Sequence, residues 1–173
     1  MQNFAAYIRN VPDFPVKGIQ FKDITTLLKD GELFAQVIDQ MYDPFRHEDF
    51  DKISAVEARG FILGGALSYK LNLGFVPIRK PGKLPAEILA EEYDLEYGKD
   101  SIEVHQDGIR KGDRVLLVDD LLATGGTAVA ACKLIERLGG KIIGISFLIE
   151  LTELKGREKL DNYKVNSLIT YPF

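Results

Sequence analysis

The stretch Val115-Leu116-Leu117-Val118-Asp119-Asp120-Leu121-Leu122-Ala123-Thr124-Gly125-Gly126-Thr127 decides the reading of this chain. Its first four residues form the unbroken apolar run that a strand covered on both faces of a parallel sheet requires. Asp119 and Asp120 follow at the carboxyl end, the edge where open α/β sheets bind ligands. The small-residue turn 123–127 then opens into an apolar helical pattern over 128–138. Such a turn can aim successive backbone N–H groups and two hydroxyls at one anion, helped by the helix N-terminus. An acceptor pair beside an anion cradle suits a sugar with a free diol and a phosphate. No Lys follows the glycines, so this is not a Walker A loop, and the Gly-x-Gly-x-x-Gly spacing of dinucleotide folds is absent.

Around this core the 173 residues fit a single compact α/β domain. Residues 3–9 read as a short helix broken by two prolines in 11–15, and 19–28 as extended. Helical periodicity marks 31–42 and 61–71, while 52–56 and 73–78 read as strands. Residues 92–97 and 101–105 alternate in polarity, with a hairpin turn at Gly98-Lys99-Asp100. Gly139-Gly140 suits a left-handed helix end. Strands at 142–149 and 165–170, with a helical turn at 156–160, complete an alternation that implies a parallel sheet with helices on both faces.

A net charge of −4 and a pI near 5.3 argue against nucleic-acid binding. Arg79, Lys80 and Lys83 nevertheless crowd around Pro81-Gly82, a local patch suited to a small anion. No apolar run approaches the roughly 20 residues needed to span a membrane. Residues 1–4 carry neither a basic leader nor an apolar signal core, and the single cysteine, Cys132, allows no internal disulfide. The expectation is a cytoplasmic protein in a reducing compartment.

Several blocks together carry a family resemblance. They are Val11-Pro12-Asp13-Phe14-Pro15, residues 18–28, Arg59-Gly60-Phe61, Arg79-Lys80-Pro81-Gly82-Lys83-Leu84-Pro85, Leu95-Glu96-Tyr97-Gly98, 119–127 and 150–160. Over essentially its whole length the chain resembles the type I phosphoribosyltransferases, and blocks 79–85 and 95–98 resemble their adenine-specific branch. The resemblance implies an α/β fold with a central, mostly parallel sheet, helices on both faces, a small N-terminal hood from about residues 1–30 of one domain (1–173), and a flexible active-site loop. It implies Mg²⁺-dependent transfer of phosphoribose from phosphoribosyl pyrophosphate (PRPP) to adenine through an oxocarbenium-like transition state. The products are AMP and pyrophosphate, a purine-salvage reaction. A 6-oxopurine phosphoribosyltransferase and a non-catalytic PRPP-binding regulator are the alternatives.

Site roles follow from the same resemblance. Asp119 and Asp120 hold the ribose hydroxyls and face the cationic sugar, while Ala123, Thr124, Gly125, Gly126 and Thr127 bind the 5′-phosphate. Arg59, after the acid Glu57 and a non-proline cis peptide at Glu57–Ala58, meets pyrophosphate with Arg79, Lys80 and Lys83, partly across a homodimer interface. Phe21 and Leu151 sandwich adenine, whose edge is read beside Gln20 and Lys22. Many relatives carry an aliphatic residue and Arg at those last two positions, and Lys cannot supply a planar bidentate contact. Glu96 is the candidate acid/base and catalytic with Asp119, Asp120 and Arg59, Tyr97 is a gate, and a mobile loop at about 83–96 closes the site. Carboxylates near pyrophosphate repel it by roughly 3 kcal/mol for unit charges about 5 Å apart at an effective dielectric near 20. That repulsion calls for Mg²⁺, carried by PRPP and water near Asp119 and Asp120 rather than in an all-protein cage.

Overall fold

The structure, a computed structural model, describes residues 3–94 and 98–172. They fall into two compact units, residues 1–40 and 41–173.

In the first unit, a 3-10 turn at Phe4–Tyr7 leads into an antiparallel hairpin of β1 (Arg9–Pro12) and β2 (Gln20–Asp23). The expected helix over 3–9 is therefore shorter. It ends because Arg9 is drawn into the hairpin, where its Nη2 donates to Asp23 Oδ2 at 2.6 Å. Asp13 (φ 57°) and Gly18 (φ 93°) turn the connecting loop, and Gly18 N–H donates to Asp13 Oδ1 at 2.7 Å. The extended reading of 19–28 holds only to Asp23. There Asp23 Oδ1 accepts the Thr25 N–H at 2.9 Å, and the chain coils into α1 (Thr25–Leu28). Asp30 likewise accepts the N–H groups of Glu32 and Leu33, which starts α2 (Gly31–Tyr42).

The second unit is built on five parallel strands in the order β4-β3-β7-β8-β9. These are β3 (Lys52–Val56), β4 (Gly74–Ile78), β7 (Arg114–Leu122), β8 (Lys141–Leu151) and β9 (Val165–Tyr171). Between β4 and β7 in sequence, β5 (Ile88–Asp94) and β6 (Lys99–His105) form an antiparallel hairpin. Helix α3 (Arg59–Leu71) follows β3 and packs on the face bearing Ile53 and Ala55, where Gly64 lies directly over the Ala55 side chain. Helix α4 (Gly126–Arg137) covers the opposite face with Ala128, Ala131, Leu134 and Ile135 against Val115, Leu117, Ile145 and Phe147. Helices thus cover both faces, as the apolar strand runs require. Gly139 (φ 91°) ends α4, and Gly140 N–H donates to Ile135 O.

The β5–β6 hairpin adds Ile102 and Val104 to the α4-side core. It joins the sheet where Arg79 and Glu103 exchange backbone hydrogen bonds of 2.9 and 2.7 Å. Two expectations change here. Asp94 pairs with Lys99, and Tyr93 with Asp100, so Lys99 and Asp100 are strand residues rather than the turn. The strand read from the alternation at residues 92–94 is present, and it reaches back to Ile88 into the segment expected as loop, because alternate side chains pack inward. The Glu57–Ala58 peptide is cis.

Candidate active site

Strand β7 does not stop at its aliphatic run. Pairing with β8 continues through Asp119–Phe147 and Leu121–Ile149 to Leu122–Glu150, so the two aspartates are still in register. Strand alternation sends them to opposite faces. Asp119 lines a pocket of about 80 Å³ whose other walls are residues 121–128. Gly125 (φ 80°) makes the turn that brings the first N–H groups of α4 to this pocket. On the far side, Gly60 lets α3 begin against the carboxylate: a Cβ there would stand 2.7 Å from Asp119 Oδ1.

Asp120, 7% exposed, turns toward Arg59 at the start of α3. Its Oδ2 lies 2.7 Å from Arg59 Nη2, yet accepts no hydrogen bond among the described residues. The attraction is electrostatic, and a lone pair is left over. Burial pushes the Asp119 carboxyl well above the ordinary aspartate range, and the adjacent Asp120 charge adds to it. Burial also raises Asp120, against the pull of Arg59.

The basic cluster is organised by one carboxylate. Half-buried Glu57 accepts from Arg79 Nε at 2.6 Å, Lys83 Nζ at 2.8 Å and the Lys80 N–H at 2.9 Å. Desolvation pulls Glu57 upward, but the bonds from Lys83, Arg79 and Lys80 outweigh it and hold it at about 2. Lys80 Nζ points away to the hairpin, donating to Tyr93 Oη at 2.9 Å and pairing with Asp100. Tyr93 in turn donates to Asp100 Oδ2 at 3.0 Å. Arg59, Arg79, Lys80 and Lys83 are therefore each engaged by a carboxylate of this unit.

The base-site candidates lie in separate units. Phe21 meets Phe14 edge-on at 5.1 Å, and Asn10 ties the two residues that flank it, donating to Gln20 Oε1 and accepting from Lys22 Nζ. Leu151, half-buried, ends β8. Glu96 and Tyr97 lie outside the described residues. No cluster of three or more His, Cys, Asp or Glu residues suited to a metal exists among the described residues. A larger open groove, about 630 Å³, runs along Glu150, Arg157 and Tyr163–Val165. Its Glu150 and Arg157 neutralise each other, which leaves the small loop pocket as the better anion site.

Comparison with known proteins decides the family. The profile of the phosphoribosyl transferase domain matches residues 23–171. An adenine phosphoribosyltransferase of Clostridium botulinum (strain Hall) is 52% identical over 169 residues, 98% of each chain. The chain belongs to the adenine phosphoribosyltransferase family. The crystal structure of the family member from Thermoanaerobacter pseudethanolicus superposes with a TM-score of 0.94 at 55% identity, covering 97% of this chain and 98% of that one. The Trypanosoma brucei adenine phosphoribosyl transferase, solved in complex with AMP, pyrophosphate and ribose-5-phosphate, gives a TM-score of 0.87 at 27% identity, over 96% of this chain and 78% of its own.

Sequence reading missed Tyr93 and Asp100 as partners of Lys80, and Gly156, Glu150 and Arg157 beside the loop pocket. For Asp100 the signal was its place in the alternating pattern, which was assigned to a turn. For Glu150 it was a lone carboxylate closing the apolar run 142–149, since a buried charge requires a partner.

Proposed function

We propose that this protein transfers phosphoribose from PRPP to adenine, releasing pyrophosphate and forming AMP for purine salvage. The observation that carries the reading is Asp119 at the mouth of a backbone-walled pocket, in a chain of this family. The 5′-phosphate sits in 123–127, where small residues leave the N–H groups and the Thr124 and Thr127 hydroxyls free to converge. Asp119 and Asp120 accept from the ribose hydroxyls, and the place of Asp119 in the pocket wall supports that role. As the anomeric C–N bond forms and the C–O bond to pyrophosphate breaks, the sugar becomes cationic, and two nearby carboxylates stabilise it. Arg59, Arg79, Lys80 and Lys83 receive the departing pyrophosphate.

Mg²⁺ fits these residues as an ion carried by the substrate: two carboxylates are present, but no third ligand group joins them among the described residues. Bound there, it supplies neutralisation of the diphosphate charge. Phe21 is the residue that stacks on adenine and Leu151 an apolar contact of the base, its edge read by Gln20 and Lys22, with Glu96 moving a proton on the ring and Tyr97 gating entry. The protein works as a homodimer in the cytoplasm, on small molecules rather than nucleic acid or membrane. No helix among the described residues is long and apolar enough to cross a membrane.

The test is AMP formation from adenine and PRPP, with and without Mg²⁺, with hypoxanthine and guanine in parallel. Metal-dependent AMP with little 6-oxopurine product is the expected outcome. Preferred turnover of hypoxanthine or guanine would reject the base assignment, and PRPP binding without turnover would reject the transferase.

A further inference from the structure

The loop pocket has a wall that belongs to neither β7 nor α4. After β8 the chain makes a 3-10 turn at Thr152–Leu154, passes Lys155 in the left-handed region (φ 53°), and reaches Gly156 at the start of a second 3-10 turn, Gly156–Leu160. Gly156 is buried directly against the pocket loop. A Cβ on it would strike the carbonyl oxygen of Ala123 and stand 2.8 Å from the Gly125 nitrogen and 3.0 Å from the Thr124 carbonyl carbon. Conversely, a Cβ on Gly125 would stand 2.7 Å from the Gly156 carbonyl oxygen. Two backbones touch here with no side chain between them, and the peptide groups touched are those that form the anion cradle.

Gly156 is itself held in place by its neighbour. Arg157 Nε donates to Glu150 Oε1 at 2.9 Å and Oε2 at 3.1 Å, and its Nη2 pairs with the same carboxylate. Nη1 donates to Val165 O and Nη2 to Ser167 Oγ, each at 2.9 Å, which ties the residue to β9. Glu150 is only 5% exposed and sits in register with Leu122, the last strand residue before the loop. The Arg157 hydrogen bonds hold Glu150 below the ordinary carboxylate range, against desolvation, so the pair is charged at neutral pH. Strand, clamp and loop thus form a closed triangle with Gly156 at the contact point.

We infer that Gly156 is a positioning residue for the 5′-phosphate of PRPP, and that the pair of buried Glu150 with Arg157 fixes its distance from the loop. This rests on the reading of 123–127 as the 5′-phosphate pocket. A backbone cradle cannot repack as side chains do, so a fraction of an ångström at Ala123–Gly125 misdirects several N–H donors at once. Pyrophosphate, received by the 57–83 cluster, makes no use of that contact.

The two halves can be titrated separately. Calorimetry with ribose 5-phosphate and, independently, with Mg-pyrophosphate is carried out on the wild type, Gly156→Ala, Arg157→Lys and Thr127→Ala. Gly156→Ala weakens ribose 5-phosphate by about 10-fold or more while pyrophosphate stays within about 2-fold, and KM for PRPP rises with KM for adenine unchanged. Arg157→Lys keeps the charge but loses the planar fork, and it shows the same selective loss to a smaller degree. It carries the test if Gly156→Ala does not fold. Equal weakening of both ligands, or wild-type ribose 5-phosphate affinity in a folded variant, overturns the inference. If Thr127→Ala also leaves ribose 5-phosphate binding unchanged, the pocket reading fails with it. A loss in Thr127→Ala alone leaves the pocket standing and removes only the role of Gly156.

Discussion

In the function proposed above, the loop pocket and the basic cluster hold opposite ends of one substrate by opposite means. Residues 123–128 contain no charged side chain; the cradle is backbone, two hydroxyls and a helix start, buttressed by another stretch of backbone at Gly156. The basic cluster consists of long side chains, each already paired: Arg79 and Lys83 with Glu57, Lys80 with Asp100. The first needs no rearrangement to receive an anion. In the second, an incoming pyrophosphate competes with carboxylates that hold the arms in place. A fixed cradle for the end that stays bound, and exchangeable partners for the end that leaves, suits a reaction in which one anion must depart.

The largest effect is expected between the two regions. Asp119→Asn combined with Asp120→Asn lowers AMP formation by about 1,000-fold or more, because two stabilising charges beside the cationic sugar are lost. Its melting temperature changes little, since the lost attraction between Asp120 and Arg59 is offset by relief of the burial and mutual repulsion of the two carboxylates. Steady-state assay and thermal melting check the two statements together.

Glu57→Gln breaks the organiser of the basic cluster. With Arg79 and Lys83 released, kcat/KM for PRPP falls by about 10- to 100-fold, the scale of misplacing groups that hold a reacting substrate. The pH dependence is a sharper readout. Folding lowers the Glu57 carboxyl from 4.5 to about 2, so its contribution to stability is fully present above pH 4.5 and is lost as pH falls toward 2. Thermal melts of the wild type over that window slope downward with acid, and those of Glu57→Gln are flatter.

The smallest effect sharpens the contrast. Asp100→Asn removes the partner of Lys80 near the surface, and partly exposed ion pairs are worth up to about 1 kcal/mol. Pyrophosphate binding tightens by at most about 5-fold, while ribose 5-phosphate affinity does not move. Calorimetry with each ligand reads the difference, and equal changes in both would mean that the two regions are not independent.

These two regions were also unequally legible in the sequence. The loop pocket is local: strand, acid pair, turn and helix follow one another within 13 residues, and periodicity with small-residue spacing exposes them. The basic cluster was visible as charges, but its partners were not. Tyr93 and Asp100 meet Lys80 only because of the register of β5 and β6, and a turn placed two residues late hides that register. Gly156 was legible only as part of a family block. Nothing in its neighbours announces that it must fit under Ala123, since close approach between distant backbones leaves no local pattern. Residues 24–28 differ for a local reason, since one Asp23–Thr25 hydrogen bond turned an extended reading into a helix.

A crystal structure with ribose 5-phosphate and Mg-pyrophosphate bound together tests the account most directly. The account predicts a phosphate seated on the N–H groups of 124–127 with the loop and Gly156 unmoved, Asp119 and Asp120 at the ribose hydroxyls, and pyrophosphate on the Arg79–Lys83 arms with Lys80 drawn off Asp100. A 5′-phosphate bound elsewhere, or a rebuilt loop above a basic cluster whose ion pairs are all intact, would contradict it.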